Sequence, residues 1–124
     1  MTTALTIAAF ALVGVGIAHS ILGERYILMR LFRRGDLPRL LGGTEFTRRT
    51  LRFAWHVTSI AWWGFAALLL MVARGPILAQ DVARVTGVTL IATGLVALIG
   101  SRGRHLSWPV FLAIGGIALM AATP

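Results

Sequence analysis

Charge in this chain is confined. Its 12 arginines and 4 acids all fall within residues 24–52, 74–84 and 102–104. The windows 1–23, 53–73, 85–101 and 105–124 contain no Asp, Glu, Lys or Arg. A chain of 124 residues has too little interior to hide four such windows from water, which excludes a soluble globular domain. A disordered chain is excluded too, because disorder needs a polar composition and 57% of these residues are hydrophobic. A membrane span takes ~20 mostly apolar residues, with ~17 as the lower limit. Each window reaches that limit, the third, 85–101, by the narrowest margin. The expected fold is an all-α integral membrane protein of one domain, a four-transmembrane-helix bundle of two antiparallel hairpins. Its spans are placed near 4–22, 53–73, 85–101 and 107–122. The first window has no basic leader and no small-residue cleavage site before a polar chain, so it is expected to stay as a span.

Arginine sets the orientation. The 24–52 loop holds Arg25, Arg30, Arg33, Arg34, Arg39, Arg48, Arg49 and Arg52, and the 102–104 turn adds Arg102 and Arg104. The 74–84 loop holds only Arg74 and Arg84. Basic loops stay in the cytoplasm. Both termini are therefore expected on the periplasmic or exterior side of a bacterial inner membrane. The net charge of +8 is read as topology plus attraction to anionic lipid headgroups, and not as a nucleic-acid surface.

The long loop alternates Arg with Leu, Phe and Ile, as a short amphipathic segment lying on an anionic membrane surface would. Helix one can run past Glu24 to Leu31 before Gly35 stops it. Asp36 is placed to cap a helical turn at Leu37-Pro38, and Gly42-Gly43 to break it. Thr44 is placed to cap a helix running from Glu45 into span two.

Lipid gives helices no hydrophobic reason to associate, so small residues that allow close backbone contact mark the interfaces. Ala8, Leu12, Gly16, His19 and Gly23 form such a face on span one. Gly87 and Gly94 do so on span three, beside Thr86, Thr89 and Thr93, whose hydroxyls are expected to bond carbonyls one turn back. Gly115 and Gly116 serve span four. Trp55, Trp108 and Tyr26 read as an interfacial belt. Trp62 and Trp63 fall deeper, either packing on Gly-rich neighbours or walling a flat apolar ligand.

The Arg-derived topology brings His19, His56 and His105 to one depth, with Glu24 beside them. Arg49, Arg52, His56, Ser59 and Trp63 share one face of span two. Ionisable groups in a membrane face the interior of the protein. The candidate site is therefore His19, His56, His105, Glu24 and Arg52, between spans one, two and four. Imidazoles with a carboxylate suit a divalent metal bound by the three histidines. Two histidines on facing helices could bracket a haem, with Arg near its propionates. A proton relay or a headgroup site is a third option, and His19 and His56 could equally bond Ser, Trp or backbone groups and hold the helices together. Glu24 is expected to pair with Arg52 or Arg102.

The function classes follow. There is no cysteine and no acid within a span, and no nucleophile–base arrangement, so the reading is non-enzymatic. The chain is expected to act as an accessory or ligand-binding subunit for lipid, haem or metal, in a homo-oligomer or larger membrane complex. The alternative is a small oligomeric transporter or channel. The strings AHSILGER (18–25), RFAWHVTSIAWWG (52–64) and RGRHLSWP (102–109) resemble those of small four-span bacterial proteins, which implies no particular activity.

Overall fold

The computed structural model describes residues 1–123. Four helices make up nearly all of it. Helix α1 runs Thr2–Leu31, its α-helical part Thr2–Leu22 passing through a π-helical stretch, Gly23–Leu28, into a last turn, Met29–Leu31. Helix α2 is Glu45–Arg74, α3 is Ala79–Ser101 and α4 is Ser107–Ala121. No strand occurs among the described residues, where a single bridge joins Leu40 to Gly43. Helices α1, α2 and α3 are long and apolar enough to cross a membrane. Helix α4 has 15 residues, about 22 Å at 1.5 Å per residue, which is shorter than a typical span.

Helix α3 begins six residues before the expected span. The window was bounded by charge, but Asp81 and Arg84 sit comfortably in the first turns of a helix. The Asp81 carboxylate accepts the Leu78 N–H at 3.1 Å, satisfying a donor the helix start leaves free. Its far end closes with Arg102 at φ 53° and Gly103 at φ 75°. There Gly103 N–H donates to Leu98 O at 2.8 Å, the pattern that satisfies the last carbonyls.

Two expectations for the long loop are overturned. No helical turn forms at Leu37-Pro38. Asp36 instead turns its carboxylate on Arg34, accepting from Nε at 3.0 Å and Nη2 at 2.7 Å. The segment between α1 and α2 is thus an irregular loop. It is fastened by Leu37, which packs with Leu28 and Phe32, and by Thr47, whose hydroxyl donates to Pro38 O at 2.8 Å. The chain reverses at Leu41 and Gly42, both at positive φ, 52° and 90°, the primed turn that twists with a hairpin. Thr44 precedes α2 without a side-chain cap.

Each helix runs antiparallel to the next. Helix α1 packs on α2, α2 on α3, and α3 on α4, and no other pair brings its backbones together. The four helices of the two hairpins therefore form an open row. The cause lies in where the small residues fall. On α2, Ser59 faces α1 while Phe53 and Gly64 face Gly100 and Thr89 of α3. At about 100° per residue, those two faces are roughly 120–140° apart. On α3, Thr89 faces α2, whereas Gly87 and Gly94 receive Leu119 and Leu112 of α4. Those faces are similarly divergent. Helices α1 and α4 are thus left with one neighbour each, and their outer apolar side chains stay exposed, Phe10 at 65% and Ile117 at 67%.

The threonine seam behaves as a helix-internal feature. Thr89 donates to Val85 O at 2.7 Å and Thr93 to Thr89 O at 2.8 Å.

Candidate functional site

The richest polar contact in the molecule is a ladder between α1 and α2. Arg52, His56, Ser59 and Trp63 recur every three or four residues on α2, so they line one face. Each finds a partner on α1. Arg52 pairs with Glu24, Nη2 to Oε1 at 2.9 Å. His56 meets Ser20 through Nδ1 at 3.0 Å and Glu24 through Nε2 at 3.4 Å. The hydroxyls of Ser20 and Ser59 are 2.8 Å apart. Ser59 donates onward to Gly16 O at 2.8 Å, and Trp63 Nε1–H donates to Val13 O at 3.3 Å. The ladder needs close backbones, and glycine allows it. A Cβ on Gly16 would lie 2.5 Å from Trp63 Nε1.

The π-helical stretch begins at the same place. Trp55 lies so close over Gly23 that a Cβ there would overlap the indole. Its Nε1–H donates to His19 O at 3.0 Å, a carbonyl that also accepts the Gly23 N–H. A side-chain donor inserted into the helix ladder loosens it, which is a common origin of such bulges. Trp55 is therefore a packed, bonded residue and not merely part of an interfacial belt.

Of the five site residues expected from the sequence, the structure brings Glu24, Arg52 and His56 together. The other two histidines lie elsewhere. The His19 ring stacks on Trp55 at 4.5 Å and meets Trp62 edge-on at 4.9 Å. Trp55 and Trp62 lie on one flank of Ser59 and His56 on the other, so His19 and His56 diverge across the α1–α2 contact. His105 bonds Ser107 through Nδ1 at 2.8 Å and packs against Phe46 and Phe53. It belongs to the turn before α4 and sits against the face of α2 that turns to α3, away from α1. The three-histidine metal set is therefore not assembled. No group of three or more His, Asp or Glu able to hold a metal ion occurs among the described residues. A haem bracketed by His19 and His56 does not fit either, because the two rings face different neighbours.

What the sequence did not mark is a cleft. It has a volume of about 460 Å³, lies between α2 and α3, and includes Phe32 from the end of α1. Glu45, Arg48, Arg49, Arg52 and His56 supply its polar wall, and Phe53, Val96 and Ile99 its apolar wall. The arginines are differently engaged. Arg49 pairs with Glu45 at 2.7 Å and reaches Gly100 O at 3.4 Å. Arg52 is held by Glu24 and lies over the Phe32 ring at 5.0 Å, a cation–π contact. Arg48 has a buried Nε with no hydrogen-bond partner. The signal for this cleft was present as Arg48, Arg49 and Arg52 at helical spacing. Its apolar half comes from α3 and Phe32, which no local pattern ties to them.

No family model matches this chain, and neither a curated protein nor a solved structure matches it.

Proposed function

We propose that this chain is a four-span protein of a bacterial inner membrane. Its Arg-rich end faces the cytoplasm and both termini face the periplasm. Its role is non-enzymatic: it holds an anionic lipid in the cleft between α2 and α3, as an accessory or ligand-binding subunit. Helix α4 spans as the shortest of the four, with local thinning or adjustment of the bilayer around it. The open row of helices, with one-sided packing of α1 and α4, supports assembly with further copies or other subunits.

The observation that carries the reading is the composition of the cleft. One wall offers guanidinium groups and the other offers Phe53, Val96 and Ile99. Such a pairing suits a ligand with an anionic head and an apolar tail. The cleft also lies at the Arg-rich end, where the positive-inside rule places the cytoplasmic leaflet and its anionic lipids.

The test is photolabelling in membranes. A phospholipid with a diazirine in its acyl chain is expected to label the α3 peptide around Val96 more strongly in the unaltered protein than in V96W, where the cleft is filled. Equal labelling of the two would remove the cleft from the account. Cysteine accessibility at residues 39 and 76 gives the orientation, with residue 39 expected on the cytoplasmic side.

A further inference from the structure

Three arginines line the cleft, and two of them already have acids. Glu45 takes Arg49 and Glu24 takes Arg52. Arg48 is engaged by no acid among the described residues. Arg48 and Arg49 are also the two arginines of the chain that are not exposed. The Nε of Arg48 is shut off from solvent without an acceptor. An unmatched buried donor on a charged group is costly unless something accepts from it. The same Arg48 side chain lines the cleft. What fits is an acceptor bearing one unmatched negative charge, with two oxygens for the planar guanidinium fork.

We propose that Arg48 seats the phosphodiester of a glycerophospholipid whose headgroup carries a single net negative charge, with an acyl chain laid on Phe53, Val96 and Ile99. This rests on the lipid-binding reading of the same cleft and narrows it to a lipid class and a specificity residue. A headgroup with a compensating amine presents the same phosphate but no net charge. It also brings an ammonium close to Arg48, whose unmatched like charge opposes it, while the carboxylate of the cleft, Glu45, is taken by Arg49. Free inorganic phosphate offers the same oxygens without the chain.

The experiment uses the purified, delipidated full chain in a neutral detergent. Phosphatidylglycerol, phosphatidylethanolamine and inorganic phosphate are titrated separately, and bound ligand is counted by native mass spectrometry. Phosphatidylglycerol is expected to bind about tenfold more tightly than phosphatidylethanolamine, because it alone brings a net charge to match that of Arg48. The R48Q variant is expected to lose that preference and to bind both lipids alike. R48K is expected to keep part of it, since charge remains without the fork. Inorganic phosphate is expected not to displace phosphatidylglycerol. The cleft-filling V96W variant is expected to bind neither lipid. Equal binding of the two lipids by the unaltered protein overturns the proposal, as does an R48Q variant that keeps the preference. If R48Q fails to fold, the lipid ratio of the unaltered protein and the R48K result decide. Displacement by inorganic phosphate overturns the assignment to a lipid. Lipid binding that V96W leaves untouched overturns the cleft reading itself, which separates the two failures.

Discussion

Ser59 is 1% exposed, and its hydroxyl donates to the carbonyl of Gly16 at 2.8 Å while touching Ser20 at the same distance. That one side chain ties the middle of α2 to α1 and starts the chain of contacts that ends at Glu24. Removing it by S59A leaves Ser20 without its hydroxyl neighbour and Gly16 O without the extra donor. Hydrogen bonds between helices in membranes are worth ~0.6 kcal/mol on average and up to ~1.7. A loss of about 1 kcal/mol is expected from unfolding measured in bicelles, with S59T recovering part of it. An S59A variant as stable as the parent would make the ladder energetically idle.

Gly23 and Gly14 offer a matched contrast. A Cβ at Gly23 runs into Trp55, whereas nothing lies within 4 Å of one at Gly14. G23A is expected to cost about 1–3 kcal/mol through overpacking and to shift the tryptophan fluorescence. G14A is expected to be neutral or to stabilise by up to ~1 kcal/mol, because alanine suits a helix better than glycine. Similar effects at both sites would contradict the close α1–α2 approach.

The loop offers a pH test. Arg34 holds the Asp36 carboxyl below its ordinary value, first by hydrogen bonding and in smaller part by charge. A lowered carboxyl contributes stability that is present above the unfolded pKa and is lost as pH falls through the lowered folded value. NMR titration of Asp36 is expected to give a midpoint below that of an unpaired aspartate, returning to the ordinary range in R34Q. No change in R34Q would break the assignment. The pair is solvent-exposed, so its effect on overall stability is expected to be small.

The histidines are expected to act independently. His19 depends on Trp55 and Trp62, His56 on Ser20 and Glu24, and His105 on Ser107. Losses in H19A and H56A are expected to add within ~0.5 kcal/mol, as for sites without shared partners. H56A and S20A are expected to couple, because each removes the same contact. A chelator wash is expected to leave thermal stability unchanged. A large H19A–H56A coupling that a chelator abolishes would restore the common metal site.

Much of the helical layout could be read from where charge is missing, because lipid and helix both tolerate the same apolar windows. The partnership of Glu24 with Arg52 was legible for a related reason: one acid among many arginines at one depth has few other choices. The early start of α3 was hidden because charge marks the limit of an apolar window and not the limit of a helix. The open row was hidden because closure depends on the angle between two faces of α2. That angle becomes meaningful only once Gly64 and Phe53 are known to meet Thr89 and Gly100. The separation of His19 from His56 has the same origin. Equal depth does not imply equal side, and flanking positions around Ser59 send the two rings apart.

The central claim is that a lipid sits between α2 and α3. Native mass spectrometry of the protein released gently from its own membrane measures this directly, with V96W prepared in parallel. The account predicts a phospholipid adduct on the unaltered chain and bare ions from V96W. Bare ions from both, or the same adduct on both, would contradict it.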